Sequence, residues 1–353
     1  MGIDQRPDEA AAGDDPGRTD SMVLVSIDFD DHLVSMVSIP RDGFVVIPGH
    51  GNERVNAAYT FGELDQPGAG PALAEKTVDQ LFGITVDRYA LVDIHSMQQI
   101  IDDLGGVWID NPQRLVDTAY PTDDYRTITI DIPAGHQLMD GVTAVEYART
   151  RHPDSDYGRQ DRQQQVLLAI RNRALQLDVL PRLPQLLPEV RDLVHTDISV
   201  VEAVQLANFG RSLDTSQIVR MQPDPNLTPS YIGAGGASYI NLTPEYRNMV
   251  HAVMLNPRVG SEQADISVFN AGAPVGSGGR AADLLGAAGL VVDQIATAPH
   301  VAATRIEAGE GARQSAELVA HVLNLPDDAL TVAGDSATVH VLLGPDLQLP
   351  SGG

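Results

Sequence analysis

Segments of strand period and segments of helical period alternate along this chain, and that alternation restricts it to folds in which helices cover a sheet. Met22–Ile27 and Leu33–Ile39 are apolar or alternating runs joined by the acidic turn Asp28-Phe29-Asp30-Asp31, the pattern of a hairpin. Pro40-Arg41-Asp42-Gly43 breaks the second run, and Phe44–Ile47 resumes extended structure. Within Pro71–Phe82 the apolar residues Leu73, Val78, Leu81 and Phe82 follow a helical period that ends at Gly83. A strand at Tyr89–Val92, a helix at Ser96–Leu104 stopped by Gly105-Gly106, and strands at Val107–Ile109 and Thr127–Ile132 come next. Ala144–Arg149, Gln160–Leu175, Val200–Ala207 and Glu245–Leu255 read as helices. This interleaving favours a three-layer α/β/α domain with a mixed central sheet.

Residues 258–264, Arg-Val-Gly-Ser-Glu-Gln-Ala, read as a linker, after which the pattern restarts. Strand Ile266–Phe269, a Gly-rich turn, helix Ala281–Ala287, strand Leu290–Val292, helix Gly311–Leu323 and strand Ala337–Leu343 make one small α/β module. The expected organisation is therefore a first domain at 1–257, a linker at 258–264 and a second domain at 265–347. A chain of 353 residues, 43% hydrophobic and 20% charged, has room for both cores.

The formal net charge of −25 argues against general nucleic-acid binding, which needs a basic face. Against that background four arginines fall within 14 residues: Arg149 and Arg151, then Arg159 and Arg162 in Asp156-Tyr-Gly-Arg159-Gln-Asp-Arg162-Gln163-Gln164. Guanidinium forks suit phosphate and carboxylate oxygens and stay charged when partly buried. On a helix Arg159 and Gln163 are an i,i+4 pair, so these groups can converge on one anion. Lys76 is the only lysine, and no P-loop or Ser-x-x-Lys motif surrounds it. With no cysteine there is no disulfide, thiolate metal site or cysteine nucleophile, and no His-x-x-His or His-Glu-x-x-His spacing occurs. No run of 18 apolar residues and no signal peptide is visible.

Three further segments join the arginines. Asp4-Gln-Arg6 and Arg18-Thr-Asp20-Ser21 each set a carboxylate beside an arginine at the edge of a candidate strand, and Ser38-Ile-Pro40-Arg41-Asp42 puts a guanidinium on a rigid turn. Taken singly, Asp20 with Arg18, or Arg41 with Asp42, also reads as a structural pair. Together, carboxylates and arginines without a thiol suggest a hard divalent cation and a phosphate, the parts phosphoryl transfer requires.

In this order the motifs resemble the LytR-CpsA-Psr family over essentially the whole chain. They are Gly-Ile-Asp4-Gln-Arg6, Gly-Arg18-Thr-Asp20-Ser-Met, Ser-Ile-Pro-Arg41-Asp, and Arg54-Val-Asn56-Ala-Ala-Tyr59. Asp103-Leu-Gly-Gly106-Val, Gly135-x-x-Leu-x-x-Gly141, Tyr147-Ala-Arg149-x-Arg151 and Asp156-x-x-Arg159-x-x-Arg162-Gln163-Gln164 follow. Each motif is weak alone, but eight in the right order are specific. The module after 264 resembles the C-terminal domain often appended to such proteins, opening at Val268-Phe-Asn270-Ala-Gly272.

The resemblance implies an extracytoplasmic enzyme, held to the membrane by an N-terminal helix, that moves a glycopolymer from a polyprenyl-diphosphate carrier onto peptidoglycan. It implies Mg²⁺, or Mn²⁺, held by Asp4 and Asp20. Arg18, Arg159, Arg162 and Gln163 would grip the diphosphate, and Arg41, Arg149 and Arg151 would stabilise the reacting phosphoryl group. Asp156 would orient or deprotonate the attacking hydroxyl. The polyprenyl chain would lie in an apolar tunnel, with Val78, Phe82, Met97 and Ile101 either lining it or serving as core. Arg54 stands where the family usually has lysine. Met1–Arg6 reads as the last residues of a strand, so the first strand and the anchor helix are expected to be missing through truncation.

Other readings stay open. Gly276-Ser-Gly278-Gly-Arg-Ala281 followed by Asp293 has the outline of a dinucleotide fingerprint. The chain could instead be a non-enzymatic polymer-binding or regulatory protein, or use the same pocket as a polyprenyl-diphosphate pyrophosphatase.

Overall fold

The computed structural model describes residues 1–4, 16–30, 32–122, 124–150, 156–176, 193–233, 235–262 and 264–349. The first elements are β1 (Gly2–Asp4), β2 (Arg18–Ser21), β3 (Val23–Asp28), β4 (Leu33–Ser38), β5 (Phe44–Ile47) and β6 (Gly51–Arg54). Helices α1 (Ala57–Asp65) and α2 (Gly70–Phe82), strand β7 (Ala90–Asp93) and helix α3 (Ile94–Asp103) follow. Two ribbons come next, from β8 (Val107–Asn111), β9 (Leu115–Pro121), β10 (Thr127–Ile132) and β11 (Gly135–Met139). Then come α4 (Gly141–Arg149), α5 (Asp156–Ala174), β12 (His195–Thr196), α6 (Val200–Ser212), β13 (Ile218–Met221), β14 (Ser230–Ile232), β15 (Ser238–Ile240) and α7 (Pro244–Leu255).

The chain from Arg18 to Asp28 carries two strands with only Met22 between them, and it joins two sheets. On one side the order is β12-β7-β1-β2, and on the other β3-β4-β13. Antiparallel pairs (β1–β2, β3–β4) mix with parallel ones (β1–β7, β4–β13). Strand β4 is buried along almost its whole length, the mark of a strand covered on both faces. Val37 packs into the core beneath α2 and α7, with Val78, Phe82, Tyr246 and Val250. Val34 and Met36 pack with Leu167 and Leu168 of α5. That is the three-layer mixed α/β arrangement read from the sequence. A separate core of Ile101, Val107, Ile109, Leu115, Tyr147 and Val166 joins the ribbons to α3, α4 and α5.

The segment read from the sequence as a linker, 258–264, is helical up to Glu262. Pro257–Glu262 is a helix, α8. The Glu262 carboxylate accepts the backbone N–H groups of Gln314 and Ser315 at 2.7 Å, capping a helix of the second module and outweighing the loop-like composition of the segment. That module comprises β16 (Asp265–Asn270), α9 (Ser277–Ala287), β17 (Val292–Thr297), β18 (Arg305–Ala308), α10 (Arg313–Val322), β19 (Leu330–Val332) and β20 (Thr338–Leu343). Its sheet runs β17-β16-β20-β18-β19, with β18–β20 the antiparallel pair. The sequence reading found β16, β20 and both longer helices, placed β17 too early, and missed β18 and β19.

Candidate active site

The site is assembled where a strand, a turn and a helix start meet. After β4 the chain turns at Pro40-Arg41-Asp42-Gly43, closed by Gly43 N–H to the Pro40 carbonyl at 2.9 Å. Val55 and Asn56 donate to the Gly43 and Arg41 carbonyls on one side, and Ile240 N–H donates to the Asp42 carbonyl on the other. The Arg41 backbone is thus held from both directions. Its Nη1 donates to Asp20 Oδ2 at 2.7 Å, and its Nε lies 3.5 Å from Asp42 Oδ2. Asp42 also pairs with Arg54, at 3.2 Å. Burial disfavours the charged Arg41 guanidinium, but Asp20, Asp42 and Asp156 outweigh it, so its pKa stands above the ordinary value.

Helix α5 supplies the opposite wall. Asp156 in its first turn pairs through Oδ1 with Arg159 at 2.6 Å, and its Oδ2 accepts from Gln160 at 2.9 Å. Gln163 Oε1 accepts from the Ser21 hydroxyl at 3.0 Å, tying the helix to β2. Arg149, the last residue of α4, donates to the Tyr120 hydroxyl at 3.2 Å and lies 5.6 Å over that ring. The next residue, Thr150, is held by a hydroxyl bond to buried Asp117.

A cavity of about 1330 Å³ opens from this cluster. Asp20, Ser21, Arg149, Arg159 and Gln163 belong to its lining, while Leu24, Val78, Met97, Val145, Val166 and Leu206 make much of the rest apolar. An anionic head can be held at the polar part with a long apolar chain behind it. Of the four residues considered for a tunnel, Val78 and Met97 line the cavity. Phe82 and Ile101 do not: each is buried in a separate core cluster.

The other expected site residues fall as follows. Arg41 sits one ion pair beyond the lining, against Asp20. Arg18 is exposed at the start of β2, and the register sets Asp4 opposite it, while the Asp4 side chain lies outside what is described. Arg151 also lies outside the described residues. Arg162 lies away from the cavity lining. It is 5% exposed, donates to the carbonyls of Tyr147 and Thr150 at 2.8 and 2.5 Å, and is absent from the cavity lining. These bonds hold the backbone on either side of Arg149.

Asp117 was missed, and Gln164 was quoted in the motif without a role. In β9 the inward positions are Leu115, Asp117 and Tyr120, so a carboxylate on the core face was the available signal. Fully buried Gln164 donates to Ser38 Oγ at 2.9 Å and accepts from Arg220 Nε at 3.1 Å, binding α5 to β4 and β13.

The residues present fit a hard cation by donor chemistry. Among the described residues Asp20 Oδ1 has only a 3.4 Å contact from Asn56 Nδ2, and Asn56 Oδ1 is buried without a hydrogen-bond partner. Turning the Asn56 amide would set two oxygens toward one point. Among the described residues no group of three or more His, Cys, Asp or Glu forms a complete cage. Mg²⁺ characteristically takes one or two carboxylates and completes its shell with substrate phosphate and water. In the second module Asp293, the acid of the dinucleotide outline, accepts Ile266 N–H at 2.8 Å and so has a structural partner.

The LytR_cpsA_psr family model matches residues 1–251, and the model described as LytR cell envelope-related transcriptional attenuator matches residues 263–347. The chain belongs to the LytR-CpsA-Psr family. Among curated proteins it is 36% identical over 202 residues to the polyisoprenyl-teichoic acid–peptidoglycan teichoic acid transferase TagU of Oceanobacillus iheyensis, covering 57% of this chain and 58% of that protein. It is 33% identical over 194 residues to the regulatory protein MsrR of Staphylococcus aureus, covering 54% of each. The chain thus spans a little over half the length of these relatives. Among solved structures, TagV of B. subtilis superposes with a TM-score of 0.59 at 25% identity, covering 72% of this chain and 93% of that one. The family member YwtF (TagT) with bound octaprenyl pyrophosphate lipid gives 0.53 at 25% identity, covering 72% and 87%.

Proposed function

We propose that this chain transfers a glycopolymer from a polyprenyl-diphosphate carrier to peptidoglycan, outside the cytoplasm, in a protein anchored to the membrane by a further N-terminal helix. The observation that carries the proposal is the cavity, apolar over much of its lining and closed by Asp20, Arg149, Arg159 and Gln163. A structure of a relative holds octaprenyl pyrophosphate, and another relative is named as a teichoic acid transferase. No helix among the described residues is long and apolar enough to cross a membrane.

In this reading the acceptor hydroxyl oxygen attacks the phosphorus that bears the polymer. The bridging P–O bond breaks, and polyprenyl phosphate leaves. Arg149, Arg159 and Gln163 hold the diphosphate oxygens, and Arg41, held in place by its pair with Asp20, meets the negative charge that spreads in the transition state. Asp20 with Asp4 would hold Mg²⁺, or Mn²⁺, which would supply a further positive charge to the diphosphate. Asp156 orients the hydroxyl; both its oxygens accept hydrogen bonds, so taking the proton requires one of them to open. Residues 1–257 carry this chemistry, and 265–347 form the accessory domain.

Transfer assayed with a polyprenyl-diphosphate-linked donor and a peptidoglycan acceptor tests the proposal. Arg41→Ala and Arg149→Ala are each expected to lose about 10²–10³ in rate, as removing one charge-stabilising donor does. Both variants within tenfold of wild type would count against it. Release of polyprenyl phosphate without polymer attachment would favour the pyrophosphatase reading.

A further inference from the structure

Beyond Asp42, outside the cavity, three aromatic rings stand together. Phe44 of β5 meets Tyr239 of β15 edge to face at 4.8 Å and Tyr231 of β14 at 6.3 Å, and Tyr231 stacks on Tyr239 at 5.7 Å. Phe44 and Tyr231 are 37% and 39% exposed. Aromatic residues are only 5% of this chain, so two of them clustered at the surface with a third point to a binding face rather than to filler.

The cluster is joined to the reaction centre. Arg54 lies 5.2 Å over the Tyr239 ring, donates to the Ser238 carbonyl at 2.9 Å, and pairs with Asp42. Asp42 pairs in turn with Arg41, and Arg41 with Asp20. One unbroken series of contacts therefore runs from the rings to the edge of the cavity. The hairpin is fixed to the same turn by Ile240 N–H on the Asp42 carbonyl. Gly233 lets the Tyr239 ring lie against the hairpin backbone, since a Cβ there would come within 2.7 Å of it. Asp20 lines the cavity, whereas Arg41, Asp42, Arg54 and the three rings do not. The rings therefore stand outside the cavity, joined to its edge through Arg54, Asp42 and Arg41.

We infer that Phe44, Tyr231 and Tyr239 form the acceptor subsite, a platform for a pyranose ring of a glycan chain. A pyranose has faces lined by C–H bonds whose partial positive charge suits the negative face of an aromatic ring, and a rim of hydroxyls. Tyr231 and Tyr239 hydroxyls, Arg54 and Asp42 offer that rim hydrogen-bonding partners of both kinds. A nucleic-acid strand, which would also stack, is opposed by the chain's net charge of −25. The acceptor role rests on the transferase reading above; glycan binding by the platform does not.

The test is calorimetric titration of the full chain with a β-1,4-linked N-acetylglucosamine tetramer, without donor or metal, with copurified lipid measured on the same preparations. Wild type is expected to bind saturably, and Phe44→Leu and Tyr231→Leu to bind about tenfold more weakly. Tyr231→Phe, which keeps the ring, should bind close to wild type, and all variants should retain lipid equally. Undiminished binding in the Leu variants overturns the subsite, as does absence of glycan binding by wild type. Parallel loss of lipid and glycan in the Leu variants overturns it too, because a collapsed site gives that result. Platform-dependent glycan binding by a wild type that carries no lipid supports the subsite and counts against the donor reading alone.

Discussion

At the scale of single residues, three of the clustered arginines stand in different places. Arg149 and Arg159 line the cavity, whereas Arg162 is buried against backbone carbonyls 12 and 15 positions away. Buried hydrogen bonds from a charged group stabilise by about 1.5–3 kcal/mol, and Lys cannot reproduce the two-pronged geometry of a guanidinium. Arg162→Ala and Arg162→Lys should therefore both lower the thermal midpoint by several degrees. Arg149→Ala should leave the midpoint near wild type while abolishing most activity. Calorimetry on the three variants separates the roles, and an unchanged midpoint in Arg162→Ala would contradict the positional one. The sequence could show that arginines cluster, because charge is legible in composition. It could not show which of them line the cavity, because Arg159 and Arg162 are one helical turn apart and only tertiary packing distinguishes them.

At the scale of elements, helices were legible where caps and periods agree. Gly83 ends α2 in the left-handed conformation, at φ 65°, as its place after Phe82 predicts. Asp93 caps α3 by accepting the backbone N–H and the hydroxyl of Ser96, at 2.9 and 2.6 Å. Burial raises the Asp93 pKa, but the Ser96 bonds outweigh it and leave the group below the usual aspartate value. A depressed carboxylate stabilises the fold above its unfolded pKa and loses that contribution as pH falls through its folded pKa. Asp93→Ala should cost about 1 kcal/mol at neutral pH, and the gap to wild type should narrow below about pH 4, read by chemical denaturation at both pH values. Strands were less legible. Gly135-His-Gln-Leu-Met of β11 lacks a clean alternation and is a strand through its pairing with β8, while Arg305-Ile-Glu-Ala of β18 alternates over only four residues, too short a run to stand out, and is fixed by its pairing with β20.

At the scale of the whole molecule, the second module rests on a helix that also walls the cavity. Gly289, at φ 83°, fits against α7 so closely that a Cβ would stand 2.2 Å from the Asn248 carbonyl oxygen and 2.4 Å from Ala252 Cβ. Met254 and Leu255 of the same helix line the cavity. Gly289→Ala combines backbone strain with overpacking and should cost roughly 2–4 kcal/mol at this contact. The expected result is a lower unfolding midpoint together with reduced lipid retention. Retention equal to wild type would mean the module and the cavity are independent. The layered α/β order of the chain was legible because helical and strand periods alternate. This docking was not, since contacts such as Gly289 against α7 and Glu262 on Gln314 and Ser315 join residues far apart in the chain and leave no pattern in sequence.

The central claim is that the cavity holds a polyprenyl carrier by its phosphates. It is tested most directly by extracting copurified lipid from wild type and Arg149→Ala protein made in a bacterial host and identifying it by mass spectrometry. A polyprenyl phosphate or diphosphate present in wild type and lost from Arg149→Ala is the predicted result. Folded wild-type protein free of such lipid, or equal lipid in both proteins, would contradict it.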